Sequence, residues 1–171
     1  SLTIIGDGHM REEWEQLFAG TNTNFMGYLY KDELATAFAS ADAFFFPGPN
    51  ETFGQVVQEA MASGLPTVVT DQGAVGELVQ EGRTGYVVAH NRTAFAEAAR
   101  KLQEDRELLA SMSKNARDVA ETRPWSAIMA ELENYYHEAI AINNRFKHMY
   151  GQTFYHRPLA FGARLQQQFG M

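Results

Sequence analysis

The sequence lacks cysteine altogether, and no lysine or arginine occurs between Lys31 and Arg83. The missing cysteine excludes disulfide bonds and thiolate metal ligands, and it favours an intracellular setting. Long apolar runs are also missing. The longest apolar run near a predicted strand, ADAFFFPG, is far too short to cross a bilayer. The net charge of -7 argues against nucleic acid as a partner. With 45% hydrophobic residues, the chain is predicted to be a globular cytoplasmic protein.

Short apolar runs alternate with helical patterns along the chain. The runs predict strands at 2–6, 23–28, 42–48, 66–71 and 85–89, and the patterns between them predict helices at 10–19, 31–41, 52–63, 74–81 and 93–104. Two more helices are predicted at 106–121 and 125–147, where residues such as Met112, Val119, Met129, Leu132 and Tyr136 are expected to be core. The alternation predicts an α/β fold with a Rossmann-like, doubly wound parallel sheet.

Ligands of such sheets bind where the strands end and helices begin. The loops to inspect are therefore GDGHM, GYLYKDE, PGPNETFG and TDQGAVGE, which we expect to open on one crevice.

The segment ETFGQVVQE places Glu51 just before a predicted helix and Glu59 inside it. Thr52 and Gln55 match the capping-box pattern, so Thr52 is the predicted N-cap. Glu59 is then roughly 10 Å along the helix axis from the cap that Glu51 precedes. The two catalytic carboxyl groups of an inverting glycoside hydrolase are roughly 6.5–9.5 Å apart, so the predicted separation is at or beyond that range. We therefore expect two carboxylates that bind hydroxyl groups along one extended ligand, with the intervening helix N-terminus suited to phosphate. Without further context, a dipole-favoured Glu51 and a solvent-facing Glu59 would be the simpler explanation.

The context is the stretch PNETFGQVVQEAMASGLPTV, which resembles the signature of the family 4 retaining glycosyltransferases of the GT-B fold. Flanking segments agree in order and spacing, namely IIGDGHMREEWE, FMGYLYKDELATAFASADAFFFPG and TDQGAVGELVQEGRTGYVV. The resemblance covers residues 2 to about 140. The signature is most similar to GDP-mannose-dependent mannosyltransferases, with sulfoquinovosyl-lipid synthases close behind.

The resemblance implies specific roles around the predicted helix start. Glu59 would bind the ribose hydroxyls of a sugar nucleotide, and Glu51, the expected catalytic residue, would bind the hydroxyls of the donor sugar. The backbone amides of Thr52, Phe53 and Gly54 would face the sugar and the diphosphate. A carboxylate suits such a role because it can accept two hydrogen bonds from a vicinal diol.

The loops after the first two strands would contact the nucleotide. The resemblance implies that Gly6 and Gly8 let the backbone approach it, while Tyr28 and Leu29 lie beside the base. GDGHMR carries Arg11 where a dinucleotide fingerprint has its third glycine, so it does not indicate NAD. The histidines lack the spacing of a helical metal site, and GT-B enzymes of this type work without metal. We expect no metal and no cofactor, with a GDP- or UDP-sugar as the donor.

The implied function of the full-length protein is transfer of a hexose from a nucleotide diphosphate sugar to an acceptor hydroxyl, on a lipid or a glycan, with retention. The family's diphosphate-binding arginine and lysine would precede Ser1, together with the first strand and helix of this domain and an acceptor-binding N-terminal domain. We therefore expect this chain to be the donor-binding part, inactive alone and partnered by its own N-terminal domain. The alternatives are a non-catalytic sugar-nucleotide-binding module and a GT-B nucleotide-sugar epimerase.

Charge separates the end of the chain from the rest. All 21 acidic residues precede residue 139, and the last four of the 14 basic residues follow it among aromatic side chains. We divide the chain into a nucleotide-sugar-binding part, 1–148, and a basic, aromatic tail, 149–171. Such a tail suits the surface of an anionic membrane, which would make the protein peripheral on the cytoplasmic face. The alternative, favoured by the resemblance, is packing of these aromatics against the N-terminal domain.

Overall fold

A computed structural model describes residues 1–150, apart from the side chains of residues 149 and 150. The strands are β1 Leu2–Ile5, β2 Thr23–Gly27, β3 Phe44–Phe46, β4 Thr67–Thr70 and β5 Gly85–Val88. The helices are α1 Arg11–Leu17, α2 Lys31–Ala39, α3 Gln55–Ala62, α4 Arg92–Glu104, α5 Arg106–Glu121 and α6 Trp125–Tyr150. Every predicted strand is present, and so is every predicted α-helix except one.

The exception is the helix predicted at 74–81, which is a 3₁₀ turn, Val75–Leu78. Gly76 lies inside this turn and lowers its helix propensity. Val79 has extended backbone angles, φ -102° and ψ 126°, so the helical pattern ends there. The segment is accordingly too short for a run of α-helical hydrogen bonds.

The strands form two parallel sheets, β1–β2 and β3–β4–β5. β4 is central in the second sheet, and all four of its residues are buried, as expected for a parallel strand covered on both faces. Among the described residues, neither β1 nor β3 has a strand partner on its other edge.

Consecutive valines of β4 serve two separate parts of the core. Val69 packs with Val57 and Met61 of α3, whereas Val68 packs with Ala98 and Leu102 of α4. Successive side chains of a strand point to opposite faces, so the two clusters cover the two faces of the sheet. This arrangement fixes α3, the helix that carries the site, directly against the central strand.

Residues 1–122 form one compact unit, and α6 belongs to the next. In the first unit, Met112 is buried and Val119 partly buried, as predicted. The core prediction is wrong for α6, because Met129, Leu132 and Tyr136 are exposed. Apolar residues at helical spacing identify a helix face that favours burial, but they do not identify the surface that covers this face.

No helix in residues 1–150 combines the length and apolarity that crossing a membrane requires. Most of the predicted tail, residues 151–171, lies outside the described residues.

Candidate functional site

The predicted site loops make contact in two pairs, one for each sheet. After β1 and β2, the Tyr28 hydroxyl donates to the Asp7 carbonyl at 3.0 Å, and the Gly6 amide donates to the Gly27 carbonyl at 2.7 Å. After β3 and β4, the Ala74 amide donates to the Glu51 carbonyl at 3.4 Å. Among the hydrogen bonds of residues 1–150, none joins one pair of loops to the other. A single shared crevice stays a prediction.

Glu51 binds its own loop. One carboxylate oxygen, Oε1, accepts hydrogen bonds from the amides of Thr52 at 3.0 Å, Phe53 at 2.9 Å and Gly54 at 2.9 Å. The amides of Gly54 and Phe53, followed by that of Thr52, lower the pKa of this carboxyl below its ordinary value of 4.5. These hydrogen bonds stabilise the ionised form of the carboxyl group, so Glu51 is negatively charged at neutral pH. The same bonds hold the carboxylate against its own loop.

The predicted N-cap at Thr52 is wrong. Helix α3 begins at Gln55, and its N-cap is Gly54 in the left-handed conformation at φ 70°. The Glu51 carboxylate accepts the amide hydrogens of the preceding turn, so the Thr52 hydroxyl has no part in capping. A Cβ on Gly54 would also lie 2.5 Å from Leu78 Cδ1, so both the backbone angle and the space favour glycine here.

Glu59 lies four residues inside α3, about 6 Å along the axis from Gln55. The Gln55 side-chain amide donates to Glu59 Oε1 at 3.1 Å, which orients the carboxylate toward the N-terminal turn. Val57, Ala60 and Met61 are buried, and Glu59 is partly buried away from them. None of the ion pairs among the described residues includes Glu51 or Glu59, so both carboxylates are free of cationic partners there.

Helix α5 holds the other end of α3. Ser113 donates to the Gly64 carbonyl at 2.6 Å, and the Arg117 guanidinium donates to the Ala62 carbonyl. These groups satisfy carbonyls that a helix C-terminus leaves without partners. Glu51 therefore holds the loop that leads into α3, and α5 holds the C-terminal end of the helix.

The glycine loop after β1 is fixed by residues that were not among the predicted site residues. Arg11 pairs with Asp7 at 3.0 Å and with Glu15 at 2.8 Å, and it donates to the Phe25 carbonyl at 3.3 Å. The Asp7 carboxylate in turn accepts from the Gly8 amide at 2.7 Å. The four-residue spacing of Asp7, Arg11 and Glu15 could have indicated the ion pairs, whereas the bond to β2 follows only from sheet pairing.

Two exposed tyrosines follow β2. The rings of Tyr28 and Tyr30 stack with centroids 6.3 Å apart, and the two residues are 63% and 66% exposed. Leu29 between them is partly buried. Tyr30 was not among the predicted site residues, although its two-residue spacing from Tyr28 was visible in the sequence.

The described residues contain no group of three or more His, Cys, Asp or Glu side chains able to hold a metal ion. His9 is exposed in the glycine loop. The ligand contacts expected of the site residues stay predictions.

The family model for glycosyl transferases group 1 matches residues 1–119. The chain belongs to this family. Both Glu51 and Glu59 lie within the match, and the resemblance to the family 4 glycosyltransferases of the GT-B fold is confirmed.

Two curated relatives illustrate the likeness of this chain to known proteins. It is 38% identical over 139 residues to a sulfoquinovosyl transferase of Arabidopsis thaliana, covering 78% of the chain and 27% of the relative. It is 35% identical over 149 residues to a GDP-mannose-dependent alpha-mannosyltransferase of Corynebacterium glutamicum, covering 84% of the chain and 35% of the relative. The chain thus spans about a quarter to a third of the length of these relatives.

Solved structures of similar fold include glycosyltransferases. A sucrose-phosphate synthase from Thermosynechococcus elongatus matches with a TM-score of 0.73 at 25% identity, over 82% of this chain and 39% of that one. Anabaena HepE in complex with UDP matches with a TM-score of 0.72 at 23% identity, over 80% of this chain and 40% of that one. The predicted Rossmann-like α/β class is confirmed.

Proposed function

We propose that this chain is the donor-binding part of a retaining glycosyltransferase that moves a hexose from a nucleotide diphosphate sugar to an acceptor hydroxyl. The observation that carries the proposal is the placement of Glu51 in the loop just before α3 and of Glu59 one turn inside that helix, both within the matched family region. The sulfoquinovosyl transferase and the mannosyltransferase among its relatives support a hexose donor. HepE, a protein of similar fold, is found in complex with UDP.

Glu59 would bind the ribose. Its carboxylate can accept two hydrogen bonds from the vicinal hydroxyls, and Gln55 supports it from one turn earlier. Because α3 is packed on β4 and held by α5, this carboxylate is fixed before any ligand arrives. Such preorganisation reduces the entropy lost on binding.

Glu51 would bind hydroxyls of the donor sugar, through its second oxygen or after giving up part of its amide contacts. Gly6 and Gly8 would lie against the nucleotide, where a Cβ would meet no atom within 4 Å at either position. Tyr28 would present its exposed ring to the base, with Leu29 beside it. No metal takes part in this proposal.

The remaining partners are proposed from the resemblance of the sequence to its family. An N-terminal domain would bind the acceptor, a lipid or a glycan, and supply the cations that neutralise the diphosphate. The setting would be cytoplasmic, with the membrane surface as the place of a lipid acceptor. Transfer activity would need that whole assembly.

The first experiment is isothermal titration of the purified protein with UDP-, GDP- and ADP-sugars. We expect saturable binding of a UDP- or GDP-sugar, and weaker binding by at least about tenfold for Glu59→Ala. Glu97→Ala is the matched control, because it removes one exposed glutamate from α4. Absence of binding to every sugar nucleotide would contradict the proposal.

An acceptor assay then separates the proposed activity from its alternatives. Transfer with retention at the anomeric carbon, detected by NMR of the product, supports the glycosyltransferase. Binding without transfer in the presence of an N-terminal domain and acceptor would support a non-catalytic module. Conversion of the donor to its epimer would support the epimerase.

A further inference from the structure

Strands β1 and β2 change register just before their loops begin. Ile4 pairs with Phe25, but Ile5 pairs with Gly27, so β2 carries one residue more than β1 at this point. A bulge of this kind bends the strand that carries it and re-aims the side chains that follow. The bulge therefore sets the direction in which β2 leads into its loop and into Tyr28.

The guanidinium of Arg11 lies at this bulge. Its Nη2 donates to the Phe25 carbonyl at 3.3 Å, and its Nη1 would lie 3.3 Å from a Cβ at Gly27. Gly27 has φ 67°, so glycine supplies both the backbone angle and the space beside the guanidinium. Arg11 is 14 residues from Phe25 along the chain, and it thus links the start of α1 to the end of β2.

The other nitrogens of the same guanidinium hold the loop after β1. Nη1 pairs with Asp7 Oδ2 at 3.0 Å, and Nε pairs with Glu15 Oε1 at 2.8 Å. The Asp7 carboxylate also accepts from the Gly8 amide at 2.7 Å. Arginine suits three partners because its donors diverge within one rigid plane, whereas the lysine ammonium is a compact point charge.

Tyr28 closes this set of contacts. Its hydroxyl donates to the Asp7 carbonyl at 3.0 Å, although the ring itself is exposed. The contacts and the backbone of β2 form a closed path through four residues, which we call the Arg11 network: Asp7, Arg11, Phe25 and Tyr28. Because the path is closed, moving Tyr28 away from the glycine loop requires breaking one of these contacts or deforming the bulge.

Stabilisation of α1 would be a simpler role for Arg11. Ion pairs four residues apart stabilise helices in this way, and Arg11 lies four residues from both Asp7 and Glu15. That role leaves the bond to Phe25 unexplained, and it has no consequence for Tyr28. The bond to β2 therefore distinguishes the two roles.

We propose that Arg11 is a positioning residue, which ties the bulge of β2 to the glycine loop and so holds Tyr28 against that loop. The importance of this arrangement for a nucleotide rests on the proposed function, whereas the arrangement itself does not. Arg11 touches no ligand in this proposal. Its loss weakens nucleotide binding by releasing Tyr28, not by removing a contact with the nucleotide.

The first test needs no ligand. Nuclear Overhauser contacts between the Tyr28 ring and residues 7 and 8 report whether the tyrosine is held against the glycine loop. We expect these contacts in the unmodified protein and their loss in Arg11→Ala. Glu15→Gln is the matched control, because it removes the ion pair within α1 and keeps the Arg11 bonds to Asp7 and Phe25. It should retain the Tyr28 contacts.

Two results of this test overturn the proposal. One is unchanged Tyr28 contacts in Arg11→Ala, and the other is an equal loss in Glu15→Gln, which would show that the ion pairs of α1 alone matter. If Arg11→Ala loses its cooperative thermal unfolding, Arg11→Lys decides, because it keeps the charge without the fork of donors. Retention of the Tyr28 contacts in Arg11→Lys would then count against the proposal.

The second test is a double-mutant cycle, measured by isothermal titration with UDP and GDP. Tyr28→Phe keeps the ring and removes only the hydroxyl. We expect Arg11→Ala and Tyr28→Phe each to weaken binding of the preferred nucleotide by about three- to tenfold. The double variant should bind within about twofold of the weaker single variant, because both changes break the same network. Losses that multiply would mean that Arg11 does not act through Tyr28.

The two tests fail independently of each other. If neither UDP nor GDP binds the unmodified protein, the proposed function fails, and the Tyr28 ring contacts still decide the role of Arg11. If a nucleotide binds but the ring contacts persist in Arg11→Ala, the positioning role fails alone. Glu15→Gln should change nucleotide affinity by less than about twofold, since an exposed ion pair contributes little.

Discussion

Arg117 of α5 donates a hydrogen bond to the carbonyl oxygen of Ala62, the last residue of α3. Its guanidinium also pairs with Glu121 at 2.6 Å, which holds it in place. A cation at this end satisfies an unpaired carbonyl and lies at the negative end of the helix dipole. The contact joins residues 55 positions apart, so α5 is coupled to the helix that carries Glu59.

We expect Arg117→Ala to lower the free energy of unfolding by about 1 kcal/mol, since the hydrogen bond and the dipole interaction are both partly exposed. Urea unfolding followed by circular dichroism measures the change. Arg100→Ala, which removes an exposed arginine of α4, is the control and should change stability by less than about 0.5 kcal/mol. Equal effects of the two substitutions would show that the Ala62 contact adds nothing.

The two site glutamates should affect different kinetic quantities. Glu59→Ala removes the expected ribose contacts and should weaken affinity for the free nucleotide by roughly ten- to a hundredfold. Glu51→Ala should act mainly on turnover, because the donor sugar is what it is expected to hold. Nucleotide titration and steady-state kinetics of the full-length enzyme separate the two effects. An equal loss of free-nucleotide affinity in both variants would contradict this division of roles.

The amide contacts of Glu51 predict a pH-dependent contribution to stability. Its pKa is lowered in the folded chain, chiefly by the amides of Gly54 and Phe53. A carboxyl of this kind stabilises the fold above its unfolded-state pKa, and the contribution is lost as pH falls through the lower folded-state value. Neutral Gln has no such charge to lose.

We therefore expect the unmodified protein to be more stable than Glu51→Gln at neutral pH, with the difference shrinking once the pH falls below the ordinary value of 4.5. Thermal unfolding of both proteins over a pH series measures it, and the other titrating groups cancel because the proteins share them. A difference that is constant across the series would mean that the Glu51 charge is not what the amides stabilise.

Much of the fold follows from local patterns, but the start of α3 does not. The buried run Thr67–Thr70 and the apolar positions of α3 indicate a covered parallel strand and the helix packed on it. Thr52 and Gln55 form a valid capping pattern, yet Glu51 and Gly54 offer a second solution for the same amides. Sequence spacing cannot decide between two side chains that reach the same donors.

Contacts between elements that are distant along the chain also could not be predicted from the sequence. Arg11 could be seen to lie four residues from both Asp7 and Glu15, but its bond to the Phe25 carbonyl depends on how β1 and β2 pair. Likewise, Tyr28 reaches the Asp7 carbonyl only because the two loops leave neighbouring strands. Pairing of parallel strands places such residues together, and a single sequence does not reveal it.

Gly54 and Gly82 allow the backbone and the packing contributions to be separated. Both have φ 70°, but a Cβ on Gly82 would meet no atom within 4 Å, whereas one on Gly54 would lie 2.5 Å from Leu78 Cδ1. Gly82→Ala should cost about 1 kcal/mol from backbone strain, and Gly54→Ala about 1 kcal/mol more as Leu78 is displaced. Chemical denaturation measures both. Equal losses would show that Leu78 moves aside without cost.

Residues 149–171 form the basic, aromatic tail of the sequence. Arg157 and Arg164 occur there among tyrosines and phenylalanines, with no acidic residue. Each cation near an anionic bilayer contributes about 1 kcal/mol, and aromatic rings favour the headgroup level. We therefore expect the protein to sediment with vesicles containing phosphatidylserine, less so at high salt, and to lose this binding when residues 149–171 are removed. Vesicles of phosphatidylcholine alone are the control. Binding that survives the truncation, or no binding at all, would instead favour packing of these aromatics against a protein domain.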